Sequence, residues 1–114
     1  MAEAPARVIL ETERAKTLGR LRALGAEVES IVTASLDSNS DDEHDPEGAT
    51  IAFERERASA LRAQAQAHLA DVDRALARVA AGTYGACRSC RRPIGAERLR
   101  ALPVTELCIA CASR

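Results

Sequence analysis

Four cysteines are the side chains of this 114-residue sequence whose type and spacing together define a chemistry. They form two CxxC pairs, Cys87 with Cys90 and Cys108 with Cys111, separated by 17 residues. That spacing belongs to a zinc site: a tight knuckle aims two thiolates at one ion, and the longer loop brings the second pair round to complete a tetrahedron. Four thiolates leave no open coordination position, so one structural Zn2+ is expected. The competing reading is redox, with each pair acting as a dithiol switch or the two pairs forming two disulfides. Four thiolates around Zn2+ carry a net charge of about −2, and Arg88, Arg91 and Arg92 stand beside the first pair to moderate it.

Around these cysteines the sequence holds few large apolar side chains, mainly Tyr84, Ile94, Leu99, Leu102, Val104, Leu107 and Ile109. These are too few to specify a fold unaided, whereas metal binding supplies on the order of 10 kcal/mol to such a module. The thiols are thus expected to organise the C-terminal segment.

The elements that must carry this module are helical. Aromatic residues make up 2 % of the chain, only Phe53 and Tyr84, while alanine, leucine and arginine dominate. From about Pro5 to Leu36, Leu10, Leu21, Leu24, Val28 and Ile31 form a seam spaced by threes and fours, with Arg14 and Thr17 weakening its start. A second stretch from about Ala49 to Ala81 sets Leu61, Ala65, Leu69, Val72, Leu76 and Val79 on one stripe. Neither helix buries its stripe alone, and their connection is short, so they predict an antiparallel hairpin with arms about 45 Å long. The expected fold class is all-α: a long antiparallel coiled-coil hairpin over residues 1–81, with a tip loop at about 37–48, followed by a small four-cysteine zinc finger over 82–114. "AGTYG" closes the second helix with glycine.

The connection "LDSNSDDEHDPEGA" holds Asp37, Asp41, Asp42, Glu43, Asp45 and Glu47 and no basic residue. As a run of charge it reads first as a solvated loop; placed at the far end of a rigid arm, it is also arranged to be presented to something positive. Its spacing does not match an EF-hand calcium loop. His44 reads as a loop residue and His68 as a packed or partly exposed helix residue. No nucleophile with a paired base is recognisable, so no enzymatic activity is expected. Sixteen basic residues against 17 acidic ones give no general attraction to nucleic acid or membrane. "MAEAPARVIL" has neither the basic leader nor the apolar run of a secretory signal, and a cytoplasmic location is expected.

"GTYGACRSCRRPIGAERLRALPVTELCIACASR", preceded by a long helix and an acidic turn, resembles the DksA/TraR family of C4-type zinc-finger proteins, also called DnaK suppressor proteins. The likeness runs through Gly82, Tyr84, Gly85, the first cysteine pair, Ile94, Arg98, Leu99, Pro103, Leu107 and the second pair, and extends to the hairpin by length and pattern. It implies a transcription regulator that binds bacterial RNA polymerase, inserts its coiled-coil tip into the secondary channel and makes no specific contact with promoter DNA. The tip residues would be Asp41, Asp42, Glu43, Asp45 and Glu47.

The family's tip motif is Asp-x-x-Asp-x-Ala. Anchored on the Asp-Pro step, the corresponding residues are Asp45, Gly48 and Thr50; counted back from Cys87 without a gap they are His44, Glu47 and Ala49. Longer members continue beyond the last cysteine into a helix that supplies part of a guanosine tetraphosphate site, and their second helix is basic where Gln64 and Asp71 stand. Little direct response to that nucleotide is therefore expected. The family has glycine directly after the first CxxC; Arg91 stands there instead, strained by roughly 1 kcal/mol if the knuckle requires positive φ.

Two further readings stay open. The CxxC-x17-CxxC spacing is shared by GATA-type DNA-binding fingers, and six arginines against Glu97 and Glu106 make residues 82–114 locally basic. The hairpin could also serve as a helical interaction module without polymerase activity.

Overall fold

The computed structural model describes the backbone of residues 3–38 and 46–114 and the side chains of residues 5–26 and 49–114. Two long helices come first, α1 (Glu3–Ser38) and α2 (Pro46–Ala81), followed by two short ones, α3 (Ala96–Ala101) and α4 (Ile109–Ala112). The described residues form no strand, only an isolated antiparallel bridge between Ala86 and Pro93. The architecture is all-α, an antiparallel coiled-coil hairpin with a small four-cysteine module at its C-terminal side.

Both long helices begin earlier than the apolar pattern indicates. Pro46 opens α2 because the first helical position has no use for an N–H and its fixed φ suits the helix. Pro5 is equally tolerated within the first turn of α1. The interval assigned to the tip therefore contracts: Asp37 and Ser38 belong to α1, and residues 46–48 belong to α2.

Buried positions recur at coiled-coil spacing. Leu10, Thr17 and Leu24 follow one another by sevens on α1, as do Ala58, Ala65, Val72 and Val79 on α2. Thr17, expected to be a weak point, is only 1 % exposed. Ala65 is buried as expected, but Leu61, also expected on the stripe of α2, is 36 % exposed, because the row of sevens reaches Ala65 from Ala58.

The chain divides into two compact units. One comprises residues 1–16 and 69–114; its core is Ala6, Leu10, Val72, Ala75 and Val79, with Leu76, Tyr84 and Val104 packed against it. Tyr84 and Val104 thereby seat the cysteine module on the helices of this unit. Arg14 Nε also donates to Asp73 Oδ1 at 2.7 Å across the two helices, an exposed pair that adds at most about 1 kcal/mol. The other unit, Thr17–His68, buries Thr17, Leu24, Ala58 and Ala65.

Candidate metal centre

The module begins where α2 stops. Gly82, at φ 76°, donates its N–H to Val79 O at 3.1 Å, and Thr83 N–H reaches Arg78 O at 2.9 Å. This paired pattern terminates a helix through a left-handed residue that glycine adopts without strain. The chain turns at once into the first knuckle. Cys87 N–H donates to Arg92 O at 2.8 Å, Arg91 N–H to Cys87 O at 2.9 Å, and Ile94 N–H to Gly85 O at 2.8 Å. Arg91 sits at φ 67°, so the condition under which a residue other than glycine is strained at this place is met, and it is the only non-glycine with positive φ among the described residues.

The second pair is presented by a loop and a helix start. Cys108 immediately precedes α4, which carries Cys111, and Ala112 N–H donates back to Cys108 O at 2.9 Å. The loop leading to it is pinned from several sides. Tyr84 Oη donates to Pro103 O at 2.8 Å, Arg98 Nε donates to Leu107 O at 2.9 Å, and Thr105 Oγ1 accepts from Leu107 N–H at 3.3 Å.

These supports bring Cys87, Cys90, Cys108 and Cys111 together, with all four sulfurs within 4.8 Å of one another. The Cys90 and Cys108 sulfurs are 3.7 Å apart. A tetrahedral zinc with bonds of about 2.3 Å requires sulfur separations of about 3.8 Å, so that distance is an edge of a coordination tetrahedron. None of the four thiols is joined in a disulfide. The donor set and its geometry fit one closed, structural Zn2+.

The thiols are unequal before metal is considered. Hydrogen bonds from the backbone of Cys108 and then Cys90 hold the Cys87 thiol down at about 6. The backbone of Cys111 lowers Cys108. At Cys111 the Ser89 hydroxyl favours the thiolate, but the surrounding sulfurs and burial together outweigh it and push the thiol up to about 11. The array accepts some negative charge unaided; full deprotonation needs a cation.

One acidic residue that the spacing of the cysteines does not reveal lies beside this centre. Glu106 Oε1 accepts from Arg78 Nη1 at 2.8 Å, and Oε2 accepts from Arg88 Nη1 at 3.1 Å. Its only trace in the sequence is that it is one of two acidic residues among six arginines in residues 82–114. Gln64 is exposed on α2, and Asp71 pairs with Arg74 one turn along the same helix. The tip candidates Asp41, Asp42, Glu43 and Asp45 lie outside the described residues; Glu47 is in the first turn of α2, its side chain likewise outside them.

Residues 82–114 match the family described as the prokaryotic dksA/traR C4-type zinc finger. The whole fold agrees: the structure of transcription factor DksA2 from Pseudomonas aeruginosa is similar with a TM-score of 0.82 and 27 % identity, covering 98 % of this chain and 81 % of that one. The chain is therefore similar to the DksA/TraR family in its zinc module and to DksA2 in its fold. A relative within the curated proteins, the uncharacterized protein YteA of Bacillus subtilis (strain 168), is 40 % identical over 62 residues. That match covers 54 % of this chain and 26 % of YteA, so the chain spans about a quarter of that relative's length. No helix among the described residues is long and apolar enough to cross a membrane.

Proposed function

We propose that this protein regulates transcription by binding bacterial RNA polymerase in the cytoplasm, its hairpin tip entering the secondary channel while the zinc module stays outside. The observation that carries this reading is the similarity to the transcription factor DksA2 over 98 % of the chain, hairpin and zinc module together. A shared zinc finger alone would support much less, because such modules serve many partners. The acidic tip residues Asp41, Asp42, Glu43, Asp45 and Glu47 are the working end, and the protein catalyses no reaction of its own. A closed four-thiolate site supports a structural role for the metal. Guanosine tetraphosphate has little direct effect in this reading, consistent with an exposed Gln64 and an Asp71 already paired on α2.

The test is a titration of the zinc-loaded protein against RNA polymerase core, beside a variant with Asp42, Asp45 and Glu47 changed to alanine and with duplex DNA as competitor. Saturable binding that survives the DNA, together with transcription effects lost in the variant, is the expected result. Binding that DNA abolishes, with a steep salt dependence, would replace this reading by a GATA-like DNA-binding finger. No binding at micromolar protein would leave a metal-stabilised helical module with another partner.

A further inference from the structure

The residues around Glu106 form a connection that the four ligands alone do not require. Glu106 lies two residues before Cys108, and its backbone oxygen accepts from Arg88 N–H at 2.9 Å. Its carboxylate accepts a second bond from the same residue, Arg88 Nη1 at 3.1 Å, and Arg88 directly follows Cys87. The loop carrying the second cysteine pair is thus tied twice to the knuckle carrying the first. The other carboxylate oxygen accepts from Arg78 Nη1 at 2.8 Å, while Arg78 Nη2 reaches Val104 O at 3.3 Å and Thr105 O at 3.5 Å. Arg74 Nε stands 3.9 Å from the same oxygen. Arg78 belongs to the last turn of α2, and its own carbonyl caps that helix through Thr83.

The Arg78 and Glu106 side chains are 19 % and 26 % exposed, against 43 % and 48 % for the Arg14–Asp73 pair. Water screens the inner pair less, so it holds its geometry better.

We infer that Glu106 is a positioning residue for the zinc centre, setting the two cysteine pairs against each other and against the end of α2. The inference rests on the metal site and is independent of any polymerase binding. Because coupling is reciprocal, zinc occupancy steadies the last turns of α2 as Arg78 steadies the zinc ligands.

The experiment is competition for zinc between a chromophoric chelator and the full chain, as wild type, Glu106→Gln, Arg78→Ala, the double variant and Arg14→Ala. Each of the first two substitutions is expected to weaken zinc binding about tenfold, as loss of groups supporting metal ligands does. The double variant should fall clearly short of the product of both losses, because the Arg78–Glu106 bond is lost in either single variant. Arg14→Ala, which removes an ion pair of the same unit away from the knuckles, should stay within about twofold of wild type. Arg78 lies outside the module, so its variant decides the matter even if Glu106→Gln cannot be loaded. Zinc affinity within about twofold of wild type in Arg78→Ala, or losses that multiply in the double variant, would overturn the inference.

Discussion

The two compact units use different physics on the same pair of helices. Among the described residues, the unit of residues 17–68 buries Thr17, Leu24, Ala58 and Ala65, mostly small positions. The unit of residues 1–16 and 69–114 adds to its seam a four-thiolate site and a set of charged hydrogen bonds centred on Glu106. Alanine seams let helices approach closely but bury little area per residue, so each position contributes little apolar burial while resisting enlargement. A metal centre concentrates stability in four atoms, and every support around it becomes sensitive.

The largest way to break this contrast is at a ligand. Cys87→Ser should remove most of the metal-linked stability, on the order of 10 kcal/mol, seen as loss of stoichiometric zinc and of the cooperative unfolding of residues 82–114. Next comes the seam: Leu10, fully buried in the metal-bearing unit, should cost about 2–5 kcal/mol when changed to alanine. Leu61→Ala, at a position 36 % exposed, should cost less than about 1 kcal/mol. Urea denaturation of the zinc-loaded protein separates these two.

A pH series sharpens the same point. With its thiol at about 11, Cys111 is protonated at neutral pH, whereas Cys87, at about 6, is mainly thiolate there. Zinc must displace the Cys111 proton throughout the neutral range and, as pH falls through about 6, the Cys87 proton as well. Affinity should therefore rise with pH, by about tenfold per unit for each proton released, and more steeply below about 6. Calorimetry in buffers of different ionisation enthalpy counts those protons. The smallest effects are backbone ones. Arg91→Gly, relieving a φ of 67°, and Gly25→Ala, where an added Cβ meets nothing within 4 Å, should each stabilise by about 1 kcal/mol in thermal melts.

The parts of the fold that rest on local chemistry were legible from the residues. Cys87, Cys90, Cys108 and Cys111 converge as their spacing implies, and α2 ends at Ala81 where glycine follows; that the knuckle places Arg91 at positive φ is seen only in the fold. Helix starts were less legible, because Pro46 reads equally as a breaker and as a first helical residue. Hydrophobicity puts Leu61 on the stripe with Ala65, yet close packing of helices selects the smaller Ala58 beside Ala65. Glu106 was invisible for another reason: its partners Arg78 and Arg88 are remote in sequence, and only the folded module brings them together.

Hydrogen exchange across the whole chain, with zinc bound and after chelation, tests most directly whether the two units are held by different means. Chelation should expose the amides of residues 82–114 and the last turns of α2, while residues 49–68 change much less. Equal loss of protection in both regions, or none in residues 82–114, would contradict it.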